Sequence, residues 1–129
     1  MKSNKTNKTI LVIDNDREFT SLINKFLKDI CGYEVKIVPD GYNGLIMAQK
    51  SAPDLILLDI RMPAMNGLGA LEKLKSDEST ARIPVIILTG FDDEDVKNRA
   101  LSLKAADYLS KPLDLEILRR SIATVLDKK

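Results

Sequence analysis

LILLD, Leu55 to Asp59, is a run of four aliphatic residues closed by an acid. A strand with one face in water alternates apolar and polar side chains, whereas a strand covered on both faces reads as an unbroken apolar run. Residues 55–58 are of the second kind. Four further β-like runs lie at 10–13, 35–38, 85–88 and 108–109, read in the same way, and helical patterns separate them. Strict alternation of strand and helix implies a parallel sheet with helices on both faces, joined by right-handed crossovers. The expected architecture is an α/β domain of five strands and five helices.

The helical patterns are legible from their spacing. Phe19, Leu22, Ile23, Phe26, Leu27 and Ile30 step by three and four residues and make one apolar face. Gly32 then supplies a stop. Residues 41–50 form a weaker helix with Leu45 and Ala48 inward, and Leu68, Leu71 and Leu74 mark a third. Asp92, Asp93, Glu94 and Asp95 place negative charge at the start of the fourth. Leu115, Leu118, Ile122, Val125 and Leu126 mark the fifth, with Asp114 as its N-cap. No repeat, low-complexity segment or linker interrupts the series, and 129 residues suit one core. Lys2, Lys5 and Lys8 sit among Ser, Asn and Thr. Residues 1–7 thus read as a flexible tail and 8–127 as the domain.

Composition narrows the function. Net charge is +1, so nothing in the total calls for direct nucleic-acid binding or a membrane surface. No apolar run is long enough for a signal peptide or a span, and the single Cys31 cannot close an internal disulfide. Both point to the cytoplasm. The sequence has no histidine, which excludes histidine-based catalysis within the chain. Any phosphohistidine chemistry must come from a partner.

In parallel sheets covered by helices, ligands bind beyond the carboxyl ends of the strands. There the first run ends in Asp14-Asn15-Asp16, the third in Asp59, the fourth in Thr89 and the fifth in Lys111-Pro112. Carboxylates, a hydroxyl and an ammonium converge on one rim. Oxygen ligands of this kind suit Mg²⁺, and a cation, a Lys and a Thr around a carboxylate suit phosphoryl transfer. An Asp can itself be the nucleophile. Asp59 is the best candidate, because its strand is expected between the acids and the hydroxyl.

With these residues in place, the chain resembles the receiver domain of two-component response regulators over roughly residues 8–126. "LLDIRMPAMNG", Leu57 to Gly67, looks like the family's phosphoacceptor strand and the Met-Pro loop after it. "ILTG" with Thr89 and "ADYLSKP" with Tyr108 and Lys111 match its switch hydroxyl, switch aromatic and phosphate-binding lysine. The resemblance implies a flavodoxin-like doubly wound (βα)5 domain with strand order 2-1-3-4-5. It implies that a partner histidine kinase, phosphotransfer protein or small acyl phosphate donates a phosphoryl group to Asp59. Mg²⁺ would be held by Asp14, Asn15, Asp59 and the backbone carbonyl of Arg61. Lys111 would pair with the phosphate, Thr89 would turn inward to it and Tyr108 would follow. The Lys111–Pro112 bond is expected to be cis. Arg61 and Phe91, two residues after Asp59 and Thr89, take the family's variable gatekeeper positions.

The first strand end departs from the family. Receivers usually carry two adjacent acids there, and here Asp14 aligns with the first and Asn15 with the second, normally the direct metal ligand. Asn15 offers a neutral amide oxygen instead. Asp16 either caps the first helix or leans in as a substitute ligand. Two other readings follow. One is a pseudo-receiver, an interaction module that keeps the fold and is weakly or not phosphorylated. The other takes "DND" as the D-x-D motif of haloacid-dehalogenase-type phosphatases, with Asp14 as nucleophile and Asp16 as general acid. That reading leaves Asp59 unexplained and lacks a second acidic pair after Lys111. The main expectation is a signalling domain rather than an enzyme.

No DNA-binding motif follows the fifth helix pattern. The expected output is through a downstream protein or output domain that docks on the fourth helix, fifth strand and fifth helix. Lys97, Arg99, Arg119 and Arg120 are the candidate charges there.

Overall fold

A computed structural model describes residues 7–61, 66–90 and 94–127. The elements run β1 (Thr9–Ile13), α1 (Arg17–Lys25) prolonged by a π-helical segment (Phe26–Ile30), β2 (Glu34–Val38), α2 (Gly41–Ser51) and β3 (Leu55–Asp59). They continue with α3 (Gly67–Ser76), β4 (Val85–Thr89), α4 (Glu94–Ser102), β5 (Asp107–Ser110) and α5 (Leu115–Asp127). All four strand pairs are parallel, and the sheet order is β2-β1-β3-β4-β5, as expected.

The aliphatic runs sort by parity. Leu11, Ile13, Ile56, Leu58, Val85 and Ile87 face a core shared with Ala48 of α2, Leu71 and Leu74 of α3, and Ala100 of α4. Ile10, Val12, Leu55, Leu57, Ile86 and Leu88 face a second core with Ile23 and Leu27 from the first helix and Leu118 and Ile122 of α5. Successive side chains of a strand point to opposite faces, so one unbroken run fills both cores. Each of the buried Val, Leu and Ile side chains contributes about 1.5–3 kcal/mol relative to exposure.

Two expectations from periodicity need correction. The apolar run at 35–38 implies a strand covered on both faces, but β2 is an edge strand. Only Val38 is buried, while Glu34, Lys36 and Ile37 are exposed. An edge has a neighbour on one side only, and a charged Lys36 there blunts pairing with another chain. The spacing of the first helix implies one apolar face as far as Ile30. It passes into a π-helical turn at Phe26, where the Cys31 N–H donates to the Phe26 carbonyl five residues back at 3.1 Å. A π turn rotates less per residue than an α turn. Ile23 and Leu27 stay fully buried, but Ile30 is carried off the stripe and is 61% exposed; Leu22, in the α segment before that turn, is also exposed, at 54%. Gly32, at φ 83°, ends the segment.

Other local signals act as read. Asp114 accepts from the Glu116 and Ile117 N–H groups at the start of α5. Glu94 and Asp95 occupy the first turn of α4, while Asp92 and Asp93 lie outside the described residues. So do residues 1–6 of the expected tail and residues 62–65 of the Met-Pro loop. Among the described residues, no helix is long and apolar enough to cross a membrane.

Candidate functional site

The strand ends are staggered so that the expected residues share the carboxyl edge. Ile13 pairs with Leu58, Asp59 with Leu88, and Thr89 with Ser110. Asp14 and Lys111 each follow the last of these rungs. The Lys111 N–H donates to the Thr89 carbonyl at 2.7 Å, which prolongs the β4–β5 ladder by one bond. The Lys111–Pro112 peptide is cis.

α3 begins close against this edge. The Gly67 N–H donates to the Ile60 carbonyl at 2.7 Å. A Cβ at Gly67 would lie 2.4 Å from the Ile60 Cα and 2.6 Å from the Asp59 carbonyl oxygen. Only glycine lets the helix start there. Asn66 caps α3 by accepting from the Gly69 N–H at 2.9 Å.

Asp14, Asp59 and Thr89 are all buried. Lys111 Nζ lies 2.7 Å from Asp14 Oδ2 and 3.8 Å from Asp59 Oδ2. Asp14 Oδ1 accepts from the Asp16 N–H at 2.9 Å. Among the described residues, Asp59 Oδ1 accepts only a long bond, 3.3 Å, from the Arg61 N–H. Asp59 is thus the less neutralised carboxylate. Burial, and then the charge of Asp14, push its pKa up to about 6, against the opposing pull of Lys111, the Arg61 N–H and the Arg61 side chain.

Asn15 is exposed beside this pair. Asp16 is the N-cap of α1: its Oδ1 accepts from the Phe19 N–H at 3.1 Å. Among the described residues, no three or more His, Cys, Asp or Glu gather as a cation cage. The rim instead offers two carboxylates, Asp14 and Asp59, with the Asn15 amide nearby. This donor set fits Mg²⁺, which keeps most of its waters and needs only one or two protein carboxylates. A buried carboxylate with so high a pKa also gains from a neighbouring cation.

Tyr108 is half-buried on β5 and packs against the core under α4. Alternation along β4 and β5 puts Thr89 and Tyr108 on that same face of the sheet. Phe91 lies outside the described residues. On the expected docking face, Arg119 and Arg120 both pair with Glu116 of the same helix, Arg119 at close range, while Arg99 is exposed. Two of the four candidate charges are therefore engaged within α5, and Leu101 and Ile117 add exposed apolar surface.

One contact at the rim was not legible from spacing. Lys111 Nζ lies over the Phe19 ring, 4.1 Å from its centroid. Phe19 reads as core in the apolar stripe of α1, and it does pack against the core between the sheet and α1 and α5. A pair so distant in sequence leaves no local pattern.

Comparison with known proteins agrees with this geometry. The family model of the response regulator receiver domain matches residues 10–123. The DNA-binding dual master transcriptional regulator RpaA of Synechocystis sp. is 36% identical over 117 residues, 91% of this chain and 48% of that protein. The chain thus spans about half the length of that relative. Protein PilH of Pseudomonas aeruginosa is 36% identical over 121 residues, 91% of this chain and 96% of that one. Among solved structures, the chemotaxis protein CheY4 of Vibrio cholerae aligns with a TM-score of 0.86 at 27% identity, covering 93% of this chain and 99% of the other. The match replaces the D-x-D phosphatase reading of Asp14 and Asp16, and Asp16 already holds the helix cap. By the family model, its relatives and its sheet order, this chain belongs to the receiver domains of two-component response regulators.

Proposed function

We propose that this receiver, residues 8–127, accepts a phosphoryl group on Asp59 and switches a partner-binding surface in response. The observation that carries the reading is the contrast between the two buried carboxylates. Asp14 is closely paired with Lys111, whereas Asp59 is buried, weakly bonded and raised in pKa. A carboxylate without a tight partner is the one free to react. An Asp59 oxygen attacks phosphorus, and the phosphorus–nitrogen bond of a partner's phosphohistidine breaks. The imidazole nitrogen keeps the bonding electrons. With an acyl phosphate donor, a carboxylate leaves instead.

Asp14, Asn15, Asp59 and the Arg61 carbonyl would hold Mg²⁺, which when bound neutralises charge on the phosphoryl oxygens. Lys111 stands within reach of Asp59 and would meet the same charge from the other side. Thr89 and Tyr108 form the switch, biased by the phosphate. The docking surface is α4, β5 and α5, where exposed Leu101, Ile117 and Arg99 suit a downstream protein or output domain. The kinase and the output stay in the cytoplasm on this reading.

The test is intact mass after exposure to acetyl phosphate and Mg²⁺, followed by peptide mapping. One phosphoryl group on Asp59 is expected. A label on Asp14 or Asp16 with Asp59 unmodified would falsify the assignment. Absence of any label, with histidine kinases also inactive as donors, favours the pseudo-receiver reading that Asn15 suggests.

A further inference from the structure

We infer that Phe19 is a positioning residue that holds the Lys111 ammonium at the rim through its ring face, independently of Asp14. The inference rests on the proposed function for its consequence, and on the metal-free geometry for its existence.

Four contacts close a loop. Lys111 Nζ is bonded to Asp14 Oδ2 at 2.7 Å, and Asp14 Oδ1 accepts from the Asp16 N–H at 2.9 Å. Asp16 Oδ1 accepts from the Phe19 N–H at 3.1 Å, and the Phe19 ring lies 4.1 Å from Lys111 Nζ. The cap of α1 thus holds Phe19 where its ring sits against the lysine. A cation within about 6 Å of a ring centroid is attracted by the negative face of the ring. The Lys111 side chain is 18% exposed, so solvent screens this attraction weakly.

The ring matters because Asp14 has two claims on it. In the proposed function the same carboxylate is a ligand to Mg²⁺, a hard cation that takes oxygen ligands. Charge shared with a divalent cation holds an ammonium less strongly. The ring presents no oxygen, so the metal does not compete for it. Phe19 therefore keeps Lys111 near Asp59 when Asp14 is engaged elsewhere. Leucine at this position fills similar space without a ring face, whereas tyrosine keeps the face.

The first measurement is NMR of the metal-free protein with labelled lysine, the Lys111 signals being assigned by their loss in Lys111→Ala. The ε-methylene protons of Lys111 are expected upfield of the other lysines, shifted by the ring current. The displacement should persist in Phe19→Tyr, vanish in Phe19→Leu and survive saturating Mg²⁺ in the parent. An ordinary lysine position in the parent, or an unchanged position in Phe19→Leu, overturns the contact.

The second is a double-mutant cycle on the rate of phosphorylation by acetyl phosphate. Phe19→Leu is expected to slow the parent about fivefold, a typical strength for one such contact. Phe19→Tyr should restore the rate, and Phe19→Leu should have no further effect in a Lys111→Ala background. Equal slowing in both backgrounds means that Phe19 acts by packing alone and overturns the inference. If Asp59 takes no phosphate in the parent, the proposed function fails, and the lysine shift alone decides the role of Phe19.

Discussion

Lys111 is bonded to Asp14 at 2.7 Å and only leans toward Asp59 at 3.8 Å. One ammonium thus serves two buried acids unequally. The shortfall falls on Asp59, whose pKa rises to about 6 through burial and the charge of Asp14.

Asp59→Asn is therefore expected to stabilise the metal-free protein. A carboxylate whose native pKa lies above its unfolded value binds more protons folded than unfolded between pH about 4 and about 6. Stability falls as pH rises through that window, and above it the full penalty is in place. At pH 7.5 the variant should gain about 1–3 kcal/mol, and the gain should disappear below pH about 4. Urea unfolding in chelator at several pH values checks this. A variant less stable than the parent at neutral pH contradicts the raised pKa of Asp59.

Asn15→Asp should tighten Mg²⁺ binding by about tenfold, since an ionised ligand makes contacts roughly twice as strong as a neutral one. The added charge should also lower metal-free stability. Asp16→Asn should leave both nearly unchanged, because asparagine caps a helix as well as aspartate does. Mg²⁺ titrations of the three proteins separate the roles. Weak binding in Asp16→Asn with no gain in Asn15→Asp would move the metal to Asp16.

Gly67→Ala has no room to be accommodated, with backbone atoms of Ile60 and Asp59 inside 3 Å of the new methyl group. It should cost about 1–3 kcal/mol by overpacking. Amide shifts of Ile60 and Arg61 should move with it. A thermal midpoint equal to the parent's would mean that α3 can lift off the strand end freely.

Beryllofluoride should shift NMR signals along α4 and β5, and Thr89→Ala should abolish the remote part. Thr89 lies fully buried at the end of β4, and half-buried Tyr108 lies on the same face of the sheet. Identical remote shifts in Thr89→Ala would disconnect the hydroxyl from the response.

The central strands were legible because burial on both faces leaves a plain mark. Leu55–Leu58 cannot be a half-wet strand, and the acid that follows must sit at its tip. Asp114 was equally plain, since capping is a local rule. Lys36 warned that the second run lay at an edge, but two flanking valines and an isoleucine outweighed it. The outward turn of Ile30 was invisible, because a count of 3.6 residues per turn assumes the α form throughout. Phe19 was hidden for another reason. Its spacing announces a core position, and it occupies one. Its second contact depends on where the fifth strand delivers Lys111, which no window along the chain contains.

The parity of the strands has a consequence for communication. The side chains of Ile10, Val12, Leu55 and Leu57 belong to the core under α1 and α5, and the same alternation carries Asp14 and Asp59 to that side. Thr89 and Tyr108 belong with Val85 and Ile87 on the other. The sheet between them is a wall of close-packed aliphatic side chains that cannot relay a shift in charge. On the proposed function, news of what happens at Asp59 would cross at the top of that wall, along the carboxyl edge where the Ile60 amide meets the Leu88 carbonyl and the Lys111 amide meets the Thr89 carbonyl. Repacking deep in either half should then alter stability without altering the message, and a change of a single atom on the parapet should do the reverse.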